Sequence, residues 1–498
     1  MKAGRVISGE EHAARDAARK ILDDAKAAAD HLVAEAKVRA DTLERDANTL
    51  ARELVREARG EADRLAAQTS HARATTPSPT EVPPGTVEEI TGLVVRASVP
   101  GVALGELVRI ERRDGQLLGA EVVGFRGEQA VLLPLGELAG IAPASPVWRT
   151  GAPLAIRCGD DLLGRVLDGI GDPVDGGAEL AGEVWAVDRA APAALSRPAL
   201  TAPQPTGVRA IDSLLTLARG QRVGLFAPAG VGKSTLLGQI ARGADADVIV
   251  MCLVGERGRE LGELLGDELA PARARTVVVC ATSDAPPLVR LRAAHVATAI
   301  AEWFRERRGA SVLLMLDSLT RVARAQREVG LSAGEPPARH GYPPSVFALL
   351  PRLVERTGAT PQGVITAIYT VLVAGNDMDE PIADEVRGLV DGHIILDRRL
   401  AQRGHFPPID VVASVSRLMP RVVDARQLAA ATAIRAALAI YEEHRDLIVL
   451  GAYQAGRDRS IDAAVAAYPA IERHLRQRRD EQVDWDGSRA RLLTLSPA

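Results

Sequence analysis

The sequence has little of three features that mark whole classes of protein. Of its 498 residues only three are cysteine, and their positions show no metal or redox spacing. No run of about 18 apolar residues suggests a membrane span, and the first nine residues lack the apolar core of a signal peptide. The formal net charge of −4 offers no global basic field for nucleic acid. These absences favour a protein of the reducing cytoplasm.

Composition then divides the chain, which is too long for one hydrophobic core. The first 75 residues lack proline and favour helix throughout. Short β-branched runs split by glycine come next, and apolar strand-like runs that alternate with helical patterns follow, which favours an α/β fold with a mostly parallel sheet. The predicted segments are a helical arm (1–76), a proline-rich linker (77–85), a β-barrel (86–155), an α/β domain (156–425) and a helical C-terminal domain (426–498).

The stretch APAGVGKST at 227–235 lies between a predicted strand and a predicted helix. Its order of residues is typical of a P-loop, in which glycines let backbone N–H groups turn inward around phosphate oxygens. Lys233 is expected to reach the β and γ phosphates, and the Ser234 hydroxyl to ligate Mg²⁺. The residues predicted to bind the nucleotide here are Ala229, Gly230, Val231, Gly232, Lys233, Ser234 and Thr235.

Two positions depart from the usual P-loop pattern. Ala227 replaces the first glycine, and Pro228 removes one N–H group from the loop. The later residues supply most of the donors, so we still expect phosphate binding. The alternative is a chance glycine-rich turn.

Two acidic residues follow other predicted strands. Asp317 ends the run SVLLMLD and is predicted to hold Mg²⁺ together with Ser234, although an aspartate there would also suit a helix cap. Glu256 follows the strand DVIVMCL and is predicted to orient and polarise the attacking water. Alternatively, Glu256 and Arg257 form a solvated ion pair in a loop.

Longer stretches carry a specific resemblance. From about 88 to 480 the chain resembles the catalytic ATPases of type III secretion systems, flagellar or injectisome, which are similar to the β subunit of the rotary ATP synthase. The stretches that carry it are GERGRE (255–260), LDSLTR (316–321), ARAQREVGL (323–331), GEPPARHGYPPSVFALLPRLVER (334–356) and the run 378–420, which includes PIDVVASVS.

The resemblance implies a RecA-like P-loop core, an N-terminal β-barrel and a C-terminal helical domain. It gives Glu256 the role of catalytic glutamate and places Arg257 close to the γ phosphate. Arg417 matches the arginine finger that reaches the neighbouring subunit's nucleotide, unless it is a structural salt bridge at a strand end. Phe406 stands where a tyrosine usually stacks on adenine, and Ala374 where an acidic residue is usual.

The implied function is Mg²⁺-dependent ATP hydrolysis that powers the unfolding and export of proteins, with the injectisome slightly favoured. Implied partners are a homo-hexamer, stator and central-stalk proteins, a sorting platform, secreted substrates with their chaperones, and a membrane-embedded export gate, but no nucleic acid. The location would be the cytoplasmic side of the apparatus at the inner membrane. A rotary ATP synthase subunit and an RNA-translocating terminator-type hexamer are the alternatives, although aromatic residues make up only 3%.

The arm is an addition to this family pattern. Its apolar stripe, mostly alanine, recurs about every 3.64 residues, near the roughly 3.67 of an 11-residue repeat, which favours straight or right-handed helix pairing. The segment is similar to the N-terminal part of the secretion system's stator. We expect it to dock the ATPase to the sorting platform, the alternative being a lone solvated helix.

Overall fold

A closed six-stranded β-barrel begins the described part of the chain. The computed structural model describes residues 84–373 and 377–495; the predicted arm, most of the linker and Ala374 lie outside them. Alternate residues of the strands point inward, and Val108 and Ile110 on one strand are fully buried. The strands, in spatial order β1-β2-β5-β4-β3-β6, are β1 (Gly85–Thr91), β2 (Val94–Ser98), β3 (Glu106–Glu111), β4 (Leu117–Arg126), β5 (Gln129–Pro134) and β6 (Pro146–Pro153).

A nine-stranded sheet forms the core of the next domain. Its spatial order is β19-β18-β12-β17-β15-β13-β14-β8, with β16 paired to β17, and it is parallel except for β16 and the edge strand β19. Two small antiparallel pairs, β7 with β9 and β10 with β11, flank it. The strands are β7 (Ala155–Cys158), β8 (Val166–Leu167), β9 (Glu183–Ala186), β10 (Pro203–Gln204), β11 (Leu217–Ala218), β12 (Arg222–Ala227), β13 (Val248–Glu256), β14 (Thr276–Thr282), β15 (Ser311–Asp317), β16 (Gly358–Ala359), β17 (Val364–Leu372), β18 (Gly392–Leu396) and β19 (Ile409–Ser416).

Helices cover both faces of the sheet, so its strands are apolar on both sides. On β13, Val250 and Cys252 pack into one buried cluster, whereas Ile249 and Met251 pack into the other. The α-helices are α1 (Arg209–Leu214), α2 (Lys233–Gly243), α3 (Gly258–Glu263), α4 (Pro287–Arg308), α5 (Leu319–Ala333), α6 (Pro344–Glu355), α7 (Pro381–Leu389), α8 (Arg398–Gln402), α9 (Met419–Val422), α10 (Ala425–Val449), α11 (Arg459–Leu475) and α12 (Trp485–Leu495).

The last three helices form the C-terminal helical region. Helix α10 begins after Asp424, whose side chain accepts a hydrogen bond from the N–H of Gln427. Its buried face, with Ile434 and Leu438, joins the same cluster as α1 and α2. All three helices of this region pack against α1. Among the described residues, no helix is long and apolar enough to cross a membrane.

Candidate functional site

The P-loop joins the end of β12 to the start of α2. Gly230 (φ +77°) and Gly232 (φ +90°) have left-handed backbones, which glycine adopts with no steric cost. Helix α2 begins at Lys233, and the first N–H groups of a helix have no acceptors within it. These N–H groups and the positive end of the helix dipole make the loop suitable for binding phosphate.

Three predicted residues come together beside this loop. Strands β13 and β15 are parallel neighbours with Leu253 opposite Asp317, so Glu256 and Asp317 emerge at the same edge of the sheet. The ammonium of Lys233 forms an ion pair with the Asp317 carboxylate, and its Nζ lies 3.8 Å from Oε1 of Glu256. The hydroxyl of Thr370 also donates to Asp317 Oδ1 (2.8 Å). Sequence reasoning missed Thr370, which carries no motif of its own.

The capping alternative for Asp317 does not describe the structure. The residue before α5 is Ser318, and its hydroxyl accepts a hydrogen bond from the N–H of Arg321 (3.3 Å). Asp317 is only 2% exposed, and its carboxylate faces Lys233 and Thr370.

Glu256 lies in a partly buried position among charged groups. Burial raises its pKa to about 7, a hydrogen bond with Glu260 and the negative charge of Asp317 act in the same direction, and Lys233 and Arg321 oppose them. An Arg321 nitrogen lies 3.4 Å from the Glu256 carboxylate. Sequence reasoning quoted the LDSLTR stretch but gave Arg321 no role.

Arg257 lies apart from this group. Its side chain is exposed, and the guanidinium is 4.0 Å from Glu260, not paired with Glu256. The alternative of a Glu256–Arg257 ion pair is therefore not what the structure has. The described chain by itself does not bring Arg257 next to Lys233.

A cleft of about 760 Å³ opens beside the P-loop. Phe406, a residue that is 48% exposed, lines the cleft together with Thr235 and Gln239 of α2. The segment Arg476–Glu481, from the C-terminal helical region, forms another wall of the cleft. The cleft therefore offers an aromatic face and polar edges, which suits a nucleotide base. Sequence reasoning missed the wall, which is a polar run between two predicted helices.

Arg417 lies at the other edge of the sheet from the P-loop. The backbone N–H of Arg417 donates to the carbonyl of Asp391. The backbone N–H of Asp391 in turn donates to the carbonyl of Arg222, the first residue of β12. Strand β12 has six residues, and the five rises between its first and last residue, at about 3.3 Å each, separate the two ends by roughly 16 Å. Among the described residues the Arg417 guanidinium makes one hydrogen bond, to the Arg387 carbonyl (3.4 Å), and no ion pair. The salt-bridge alternative is therefore not observed.

The donors beside the loop suit a magnesium ion that shares its shell with phosphates. Ser234 is exposed, Thr235 is half-buried, and the Asp317 carboxylate lies at the same edge. Hydroxyl and carboxylate oxygens are the ligands that Mg²⁺ takes together with phosphate oxygens and waters. Within the described ranges no group of three or more His, Cys, Asp or Glu could hold a metal without such help.

Family models match three parts of the chain. Residues 87–151 match the ATP synthase alpha/beta family, beta-barrel domain, and residues 207–416 match the nucleotide-binding domain of that family. Residues 423–494 match the T3SS EscN ATPase C-terminal domain. The first two models describe the ATP synthase alpha/beta family, whereas the third describes the C-terminal domain of type III secretion ATPases.

Curated relatives and solved structures agree with these models. The chain is 48% identical over 416 residues to the flagellum-specific ATP synthase of Bacillus subtilis (83% of this chain, 95% of the relative). It is 50% identical over 400 residues to the type 3 secretion system ATPase of Xanthomonas euvesicatoria (80% and 90%). The structure of the assembled ATPase EscN from enteropathogenic E. coli matches with a TM-score of 0.79 and 42% identity, covering 83% of this chain and 100% of EscN. The chain is therefore a member of the family of type III secretion and flagellum-specific ATPases.

Proposed function

We propose that this ATPase binds ATP with its phosphates on the 227–235 loop and its base in the cleft beside Phe406. The observation that carries the proposal is the convergence of Lys233, Glu256 and Asp317 at the carboxyl edge of the sheet. Mg²⁺, held by Ser234 and Asp317 with the phosphates, would neutralise charge on the β and γ oxygens.

The residues divide the chemistry between them. Lys233, which pairs with Asp317, lies at the start of α2, where its ammonium can bind the β and γ phosphate oxygens. Glu256 accepts a proton from water as the water oxygen attacks the γ phosphorus. The bond between that phosphorus and the bridging oxygen breaks, so that ADP and phosphate leave. A base whose pKa is near the working pH suits this step.

Assembly completes the site. Arg417 lies roughly 16 Å from the chain's own P-loop edge and has no ion pair among the described residues. We propose that it serves the nucleotide of a neighbouring copy, and that Arg257 approaches the γ phosphate when the ring is formed. An arginine suits the task because its planar cation matches phosphate oxygens. The assembly we propose is a homo-hexamer.

The wider role follows from the family. EscN has been solved in complex with its central stalk EscO. We propose that this chain binds a corresponding stalk, a stator and a sorting platform, and acts on the cytoplasmic side of the export gate. There ATP turnover would drive the unfolding and export of substrates that chaperones deliver. Flagellar and injectisome relatives match about equally well, so we do not propose one system over the other.

The test separates binding from chemistry. Glu256→Gln should keep Mg-ATP affinity while turnover falls by roughly 10²-fold or more, because the proton acceptor is lost. Lys233→Ala should weaken nucleotide binding itself. Equilibrium binding of a fluorescent ATP analogue and steady-state phosphate release give the two quantities. Near-normal turnover by Glu256→Gln would overturn the assignment of the base.

A further inference from the structure

The wall of the cleft that the C-terminal region supplies needs support from other elements. This wall, Arg476–Glu481, follows α11 and contains no helix or strand. A segment without regular structure has few backbone hydrogen bonds of its own, so its position depends on side chains that reach it from neighbours.

Arg209, the first residue of α1, supplies part of this support, and Arg242 of α2 adds a hydrogen bond from its Nη2 to the carbonyl of Arg479 (2.6 Å). The Arg209 side chain is only 3% exposed. Its Nε donates to the carbonyl of His474, its Nη2 to the carbonyl of Arg476, and its Nη1 to Oε1 of Glu481, each at 2.7 Å. A guanidinium offers five N–H donors in one rigid plane, whereas a lysine ammonium cannot reach three such acceptors together.

Gln477, which is part of the wall, connects it to the start of α1 and to Phe406. Its Oε1 accepts from the N–H of Arg209 (2.8 Å), and its Nε2 donates to the carbonyls of Gly207 (2.8 Å) and Glu481 (2.9 Å). Its backbone N–H donates to the carbonyl of Phe406 (2.9 Å). A shift of the wall would therefore also disturb the aromatic side of the cleft.

Glu481 is the charged partner in this network. Burial acts to raise its pKa, but the hydrogen bond and the positive charge of Arg209 outweigh burial and hold the pKa below the usual range. The carboxylate is therefore ionised at neutral pH and accepts from Arg209 and from the N–H of Arg478 (3.3 Å).

We propose that Arg209 is a positioning residue for recognition of the nucleoside part of ATP, acting through the Glu481 carboxylate and the Arg476 carbonyl of the wall. Arg209 does not line the cleft and acts through the wall, whereas the phosphates would bind on the 227–235 loop between β12 and α2. The inference rests on the proposed function, because it takes the base into the cleft beside Phe406. Loss of the guanidinium should weaken contacts to base and ribose and leave contacts to the phosphates unchanged.

The experiment compares ATP with tripolyphosphate, a ligand that has phosphates and no base. For Arg209→Lys we expect KM and Kd for ATP to rise roughly tenfold, with kcat within about threefold of the parent, because contacts shared by ground and transition states are lost. The inhibition constant of tripolyphosphate should not change. Glu481→Gln should act in the same direction, and the double variant should lose less affinity than the sum of the two single losses, because both changes remove the Arg209–Glu481 ion pair.

The controls make each result decisive. Arg308→Met removes an exposed ion pair with Asp160 and should change neither affinity. Unchanged ATP affinity in both variants, or equal losses for ATP and tripolyphosphate, would overturn the inference. If Arg209→Lys fails to fold, Glu481→Gln decides, because its carboxylate is 31% exposed. Failure of the proposed function is a different result: tripolyphosphate would then bind the parent no better than Lys233→Ala.

Discussion

Glu256 shows how neighbours change the chemistry of a single residue. The pKa of an exposed glutamate is about 4.3, so its side chain is ionised at neutral pH. Here partial burial, the hydrogen bond with Glu260 and the charge of Asp317 together raise its pKa to about 7, against the opposing charges of Lys233 and Arg321. The residue is then basic enough to accept a proton and still partly ionised at neutral pH.

This residue predicts a pH dependence. A protonated carboxyl cannot accept a proton from water, so kcat/KM should fall as the pH drops through about 7. Glu260→Ala removes a hydrogen bond that raises the pKa of Glu256, and the inflection should move to lower pH. Phosphate groups of the substrate also titrate, with a pKa of about 6, and contribute equally to both profiles. The quantity to measure is therefore the difference between the inflection of the parent and that of Glu260→Ala.

A variant on the same helix provides the control for this profile. Glu263 of α3 is exposed and pairs with Arg259, and Glu263→Ala should keep the inflection of the parent. An unmoved inflection in Glu260→Ala would show that another group controls the profile.

At the scale of elements, α4 and the end of α6 are joined by a buried ion pair. Arg356 follows α6 and makes two hydrogen bonds to Glu302 of α4, at 2.9 and 2.7 Å. Both side chains are almost fully buried, and Arg189 is a more distant partner, 3.6 Å from Glu302. Removing one charge of a buried pair is costly because the other stays without its partner.

We expect Arg356→Met to lower the free energy of unfolding by about 3–5 kcal/mol, because Glu302 keeps only Arg189. Arg356→Met combined with Glu302→Leu should recover most of this loss, since no buried charge is then left without its partner. Thermal unfolding measures both. Arg308→Met, at an exposed pair, should have little effect. A double variant as unstable as the single one would contradict this account.

At the scale of the whole molecule, the predicted catalytic residues of one chain lie at opposite ends of the parallel strands of the sheet. Lys233 and Glu256 lie at the carboxyl edge, and Arg417 lies at the other. In a ring, the surface that carries Arg417 on one copy would face the P-loop surface of the next copy. Such a repeating heterologous contact would bring Arg417 to the Lys233 and Glu256 of its neighbour.

A mixing experiment tests this arrangement. Arg417→Ala and Glu256→Gln proteins, each nearly inactive, should regain turnover when combined, because some interfaces then hold an intact Arg417 and an intact Glu256. Specific activity of the parent should also rise with enzyme concentration. Mixed rings without any rescue would indicate that Arg417 acts within its own subunit or has no catalytic role.

Features that depend on the local order of residues can be read from the amino-acid sequence alone. The loop 227–235 and the strands before Glu256 and Asp317 were predicted because phosphate binding and buried parallel strands need particular residues in sequence. The long stretches of family resemblance were enough for the fold class and the family. The stator-like arm (1–76) stays a prediction, because it lies outside the described residues.

The contacts between residues far apart in the chain follow from the three-dimensional fold. Thr370 reaches Asp317 because β17 lies beside β15, and Arg321 reaches Glu256 because α5 begins next to the end of β13. Arg209 and Glu481 are 272 positions apart in the chain and still form an ion pair. No local pattern encodes such pairs, since sheet order and helix packing arise from burial summed over the whole core.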